Sequence, residues 1–308
     1  MASFSNSTLN QYNSAIKSWW KYCKSKDIDF INSNSAHLLE YLTDKFNSGA
    51  SYSSLNSYRS ALSTLLGQDI TTNDCVKRFF KGVFRLKPPA PKYDTTWDPN
   101  LVLNHLSDYF PNESISLKDL TVKAITLLAL ASAQRMQTLS MIRINNISFY
   151  QDKIQIKIDE LIKTSKPGSY HPLIILPYIK ENPKVCPALT LKSYIDRTKA
   201  PTTPNDIRKD DFLFISYQKP HKKVVTQTLS HWVKYVLGKS GINIDLYSAH
   251  STRHASTSAA HRAGVNLEVI RKAAGWTESS KVFLKYYNKN LSNSLDCEFA
   301  NSLFQGNR

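Results

Sequence analysis

The chain has 308 residues, 41% of them hydrophobic, and a formal net charge of +16. That length and apolar content allow two domains and the burial of a sizeable core. The 40 Lys and Arg against 24 Asp and Glu are spread over both halves, which suits a polyanion gripped by more than one domain and argues against a single basic tail.

No secretory signal is read in the opening MASFSNSTLN, and no apolar run approaches a membrane span. Nor does a basic amphipathic helix or lipidation motif point to a membrane surface. Cys23, Cys75, Cys186 and Cys297 lack metal-ligand spacing, so they are expected to be reduced, buried thiols of an intracellular protein. His, Asp and Glu do not cluster as ligands either, so no catalytic metal and no cofactor are expected.

The segment up to Lys87 reads as helical throughout. Ser7 can cap a helix with Leu9, Tyr12, Ile16, Trp19 and Cys23 at helical spacing. Further amphipathic helices are predicted over Ser33–Phe46, Tyr52–Leu66 and Asn73–Phe84, together a small bundle. Arg59, Lys77 and Arg78 are left for its surface, with Arg59 among small hydroxyl residues that let a phosphate backbone approach. The run RLKPPAPKYDTTWDP then reads as an extended, basic linker that includes Lys92.

Helices are predicted next over Asn100–Phe110 and Leu117–Ser132. The second is apolar nearly all round, so a central position follows. It ends on Arg135, a charge too costly to bury without a partner; a phosphate is one candidate and a structural carboxylate the other. Polar and apolar residues alternate over 153–158, and LIILP follows, which predicts a small antiparallel sheet with a turn at Lys166-Pro167-Gly168. Pro183–Arg197 and Gln227–Lys239 read as helices, and Phe212–Ile215 as a short strand. His231 and Lys234 on the second of those helices are candidates to face DNA.

The most informative stretch runs from Ser248 to Asn288. His250 and Arg253 stand three apart, a spacing that puts both on one helix face. Gly264 is placed to close that helix as the residue after its cap. A short helix over Asn266–Ala274 follows, with Val265, Leu267, Val269 and Ile270 as packing residues; then come Gly275, Trp276 and the run FLKYYNK. Cations and donors on rigid elements can hold a phosphate, and a nucleophile beside them can break a phosphodiester without a metal.

The order HxxR, AGVNLEVI, Gly-Trp and then Tyr resembles the C-terminal signature of the tyrosine recombinases, the phage-integrase family. Trp276 stands where most bacterial members have a second His. It and FLKYYNK look more like the eukaryotic mobile-element branch of Crypton and DIRS-type elements, which implies nuclear residence. The resemblance implies a mainly α fold. An N-terminal four-helix core-binding (SAM-like) domain would occupy 1–87 and a Pro-rich linker 88–97. An α-rich tyrosine-recombinase catalytic domain with a small antiparallel β-sheet would occupy 98–308. Thr138 takes the place of the acidic residue that follows the family's first Arg.

The activity implied is site-specific cleavage and rejoining of double-stranded DNA through a 3′-phosphotyrosyl link, as a homodimer on a site and a homotetramer in synapse. Tyr287 would be the nucleophile, with Tyr286 the alternative. Arg135 and Arg253 would bind the non-bridging oxygens, and His250 would share the phosphate and the phenol's proton. Trp276 would donate its indole N–H, and Lys163, with Lys166 as runner-up, would protonate the leaving oxygen. An amphipathic tail from Leu291 would dock on its own domain or on a neighbouring subunit. The rivals are a type IB topoisomerase-like nicking–closing enzyme and a non-catalytic DNA-binding protein derived from a recombinase. A metal-dependent nuclease lacks the clustered carboxylates it needs.

Overall fold

A computed structural model of the protein describes residues 3–162, 165, 173–199, 211–277, 283–289 and 291. The chain divides into two compact units, Met1–Lys92 and Tyr93–Arg308. The architecture is mainly helical, with one small three-stranded antiparallel sheet.

In the first unit, α1 (Asn6–Lys26), α2 (Ser35–Asn47), α3 (Tyr52–Leu66) and α5 (Asp74–Leu86) surround one core; the short α4 (Gln68–Thr71) links the last two. Trp19, Leu38, Tyr41, Leu42, Leu55, Leu62, Val76 and Phe80 fill that core. Polar side chains start the helices. Ser51 accepts from the Ser54 N–H and Asn73 from the Val76 N–H, satisfying donors that the first turn leaves free. The first cap is Ser5 rather than Ser7, which lies one residue inside α1. Cys75 is exposed, contrary to the expectation of a buried thiol, because it faces out from the first turn of α5; Cys23 and Cys186 are buried.

The second unit is built around α7 (Leu117–Ser132), whose residues Leu120 to Ala129 are all buried. Packed on it are α9 (Pro187–Lys199), α10 (Thr226–Lys239) and α11 (Ser251–Arg262). Ser116 caps α7, accepting from the Asp119 N–H while its hydroxyl donates to the Asp119 carboxylate. The shorter helices are α6 (Pro99–Ser107), α8 (Met136–Ser140) and α12 (Leu267–Ala273). The sheet runs β1 (Ile147–Phe149), β2 (Lys153–Lys157), β3 (Leu173–Pro177); Ile154 and Ile156 pair with Leu176 and Ile174 on its buried face. The predicted turn at 166–168 lies outside the described residues.

Three further expectations are corrected. Residues 93–97 are not linker, because Tyr93 and Trp97 are buried in the second core at 3% and 2% exposure. Large rings with one polar handle gain more from burial than from an extended path through water. Phe212–Ile215 forms no strand; Phe212 and Ile215 make only isolated bridges, to Arg143 and Lys223. In α12 and just before it, Ile270 alone of the four predicted packing residues is buried, because a two-turn helix can turn only a narrow stripe inward.

Candidate active site

The site begins where α7 stops. Ala133 adopts a left-handed conformation, φ 50°, and its N–H bonds back to the Ala129 carbonyl at 3.0 Å. A residue with a β-carbon there costs about 1–2 kcal/mol. The reversal aims the Ala133 carbonyl at Arg253, whose Nη1 donates to it at 2.6 Å. Gln134 is buried, and its Nε2 donates to the Ala273 carbonyl at 2.7 Å, tying this corner to the end of α12. Arg135 follows as the half-buried N-cap of α8.

Arg253, on the first turn of α11, is 1% exposed. Its guanidinium carbon lies 4.4 Å from the Trp276 ring centroid and 5.4 Å from that of Tyr287. Burial pushes its pKa down to about 10, and the nearby Arg135 charge acts in the same direction; Tyr287 opposes both. Neither arginine has a carboxylate partner among the described residues. The buried donors Arg253 Nε and Nη2 and Trp276 Nε1 have no hydrogen-bond partner among the described residues. Three such donors beside two like charges make a pocket in want of an anionic acceptor.

His250 is the exposed N-cap of α11, and its Nε2 stands 3.0 Å from the Tyr287 hydroxyl. Tyr287 closes a π-helical turn, Phe283–Tyr287, anchored by buried Phe283. Its ring stacks on His254, with centroids 4.2 Å apart and planes at 20°, and lies 4.8 Å from Trp276. Trp276 is delivered by a glycine: Gly275 follows α12 with φ 64°, and the Trp276 N–H returns to the Arg271 carbonyl at 2.8 Å. Gly264, φ 81°, likewise ends α11. The strap 93–97 supports the start of α11 through Trp97 Nε1 to Ser251 Oγ (2.8 Å), Tyr93 to Ser248 (2.7 Å) and Thr95 to Tyr247 (2.9 Å).

Of the sequence candidates, His250, Arg253, Trp276 and Tyr287 therefore meet in one place, and Arg135 stands near enough for its charge to act on Arg253. Lys163 and Lys166 lie outside the described residues, as do the Tyr286 side chain and the tail after Leu291. The DNA-facing candidates are dispersed. Arg59 sits 4.5 Å from the Phe80 ring centroid and donates to Asn56 Oδ1 at 2.7 Å; Lys77 pairs with Asp74 at 3.2 Å; Arg78 is exposed. Arg59 and Lys77 share an open groove of the first unit with Lys81, Arg85 and the rings of Tyr52, Phe80 and Phe84. Lys92 is exposed, and in the second unit α10 carries exposed His231 and half-buried Lys234. Sequence reasoning missed Gln134 and His254. Each stood directly beside an arginine already singled out, and that adjacency was the available signal.

The Phage integrase family matches residues 102–293. The chain belongs to that family, the tyrosine recombinases. No curated protein matches the sequence. Solved structures similar to it share the fold at low identity. The XerH site-specific recombinase bound to a palindromic difH substrate, in a post-cleavage complex, has a TM-score of 0.64 at 16% identity, covering 96% of this chain and 79% of that one. A lambda integrase dimer bound to a COC′ core site has a TM-score of 0.57 at 14% identity, covering 95% and 74%. The Tn1549 transposon integrase with circular intermediate DNA has a TM-score of 0.54 at 14% identity, covering 88% and 85%.

Proposed function

We propose that this phage-integrase-family chain is an active site-specific recombinase that cleaves and rejoins double-stranded DNA through a 3′-phosphotyrosyl intermediate. The observation that carries this reading is the set of three orphaned donors on Arg253 and Trp276 grouped around the Tyr287 ring, with His250 3.0 Å from its hydroxyl. A non-catalytic descendant has no use for uncompensated buried donors converging beside a phenol.

In the proposed reaction the Tyr287 oxygen attacks the scissile phosphorus and the bond to the 5′-oxygen breaks. His250 Nε2 takes up the phenol's proton. Arg253 and Arg135 fork onto the non-bridging oxygens, and the indole N–H supplies one more bond as charge builds. Protonation of the departing 5′-oxygen is assigned to Lys163. The new phosphodiester on Tyr287 keeps the energy of the broken one, so a 5′-hydroxyl from a second duplex reverses the step. Arg59, Lys77 and Arg78 in the first unit, with Lys92, His231 and Lys234, are assigned to the phosphate backbone. The catalytic unit works as a dimer on each site and a tetramer in synapse. A eukaryotic mobile-element origin with action in the nucleus belongs to the same proposal, supported by Trp276 and FLKYYNK.

The test is capture. A pool of internally nicked duplexes with a randomised core is incubated with the protein and resolved on a denaturing gel. A protein–DNA adduct is expected from the wild type and none from Tyr287→Phe. Equal adduct from both removes Tyr287 from the chemistry. Products joined between two duplexes, rather than relaxed plasmid alone, separate a recombinase from a nicking–closing enzyme.

A further inference from the structure

One face of α11 is laid along the segment that carries Tyr287. Its contacts recur every fourth residue, the spacing that stacks side chains along a helix. His250 meets the phenol oxygen at 3.0 Å and His254 stacks flat on the ring at 4.2 Å. Ser258 reaches the backbone: its hydroxyl donates to the Tyr287 carbonyl at 2.6 Å and accepts the Lys289 N–H at 3.1 Å. Arg262 Nη1 donates to the Lys289 carbonyl at 3.1 Å. The stripe therefore touches hydroxyl, ring and main chain in turn.

The middle of the stripe is rigid. Ser258 is fully buried and His254 nearly so. The His254 ring is held edge-on by Tyr93 at 5.0 Å and 78°, and Tyr93 is itself fixed by its bond to Ser248 and its stack on Tyr247. A five-residue π-helical turn is a poor support for a nucleophile, since a single turn closes few main-chain bonds of its own. Outside contacts have to supply the precision that in-line attack demands.

We infer that His254 and Ser258 are positioning residues that set the ring plane and the backbone register of Tyr287 for attack on phosphorus. The inference rests on Tyr287 being the nucleophile. His254 acts through the flat face of its ring and Ser258 through a two-way hydrogen bond, so neither needs to touch DNA.

Two measurements test this. In the DNA-free protein, Ser258→Ala should accelerate amide hydrogen exchange at Lys289, whose N–H loses its acceptor, more than at amides elsewhere in the second unit, with a thermal midpoint lowered by a few degrees. Unchanged exchange overturns the Ser258 assignment whatever the protein does to DNA. With a duplex recovered by adduct capture, His254→Ala and Ser258→Ala should each slow single-turnover adduct formation about 10- to 100-fold at unaltered duplex affinity, the size expected for a misplacement near 1 Å. His254→Phe keeps a flat ring in the stack and should restore most of the rate; His254→Leu, apolar but not flat, should not. A His254→Ala protein as fast as the wild type, or a Phe variant as slow as Ala, overturns the His254 assignment. An adduct that survives Tyr287→Phe overturns the nucleophile reading and the rate argument with it, while the exchange result stands separately.

Discussion

Replacing Trp276 by Phe separates the two services this ring can perform. The indole lies over the Arg253 guanidinium at 4.4 Å and beside the Tyr287 ring at 4.8 Å, and its Nε1 is a buried donor without a partner among the described residues. Phe keeps an aromatic face against both neighbours and deletes only the N–H and part of the ring. In the DNA-free protein the orphaned N–H is a burden of about 1–3 kcal/mol, so its removal offsets the lost ring area and stability should hold or rise slightly. In the transition state the same N–H is one donor to a developing oxyanion, and its loss should slow cleavage about 10²- to 10³-fold, roughly 2.7–4 kcal/mol. Thermal melting and single-turnover adduct formation on a captured duplex measure the two effects, which are expected to run in opposite directions. Trp276→His returns an N–H donor and should recover part of the rate. If Trp276→Phe cleaves about as fast as the wild type, the indole is a buttress only, and its N–H is no donor to the transition state.

Other expectations follow from the same contacts. Trp97→Ala removes a ring that is 2% exposed and frees Ser251; it should cost about 3–5 kcal/mol by denaturant unfolding of the second unit, whereas a linker residue would cost almost nothing. Lys123 is fully buried against the Tyr109 carbonyl (2.6 Å) and Asn112 Oδ1 (2.9 Å); burial lowers its pKa to about 8, against a weaker pull upward from Glu113. Between that value and the ordinary lysine value the unfolded chain binds more protons than the native one. The stability difference between wild type and Lys123→Met should therefore move in the wild type's favour as pH rises from about 8 towards 10, by up to about 3 kcal/mol in urea melts; a flat difference refutes the linkage. Duplex affinity should fall steeply with salt, with log K declining by about 0.9 per phosphate neutralised for each tenfold rise in salt, and Lys77→Ala with Arg78→Ala should flatten that slope.

The helical architecture was legible because it follows from periodicity. The run LKDLTVKAITLLALAS could only be a central helix, and the charge at its end marked Arg135. The HxxR pair was legible too, although His250 and Arg253 differ more than their spacing suggested: one is an exposed cap and the other is almost fully buried. The strap 93–97 was not legible, since prolines at 88, 89 and 91 speak for an extended path and nothing local says where it ends. Tyr93 and Trp97 find their partners at Ser248 and Ser251, more than 150 positions away in sequence. The stripe from His250 to Arg262 was written at regular spacing. It stayed hidden because its partner is a π-helical turn, which has no sequence period of its own.

The central claim is that the phenol of Tyr287 becomes the covalent link to DNA, and mass mapping of the trapped adduct tests it most directly. After nuclease and protease digestion of the wild-type adduct, the account predicts a nucleotide joined through its 3′-phosphate to Tyr287, in the peptide spanning FLKYYNK. A nucleotide on Tyr286, a 5′-linkage, or an adduct on any residue outside that peptide would contradict it.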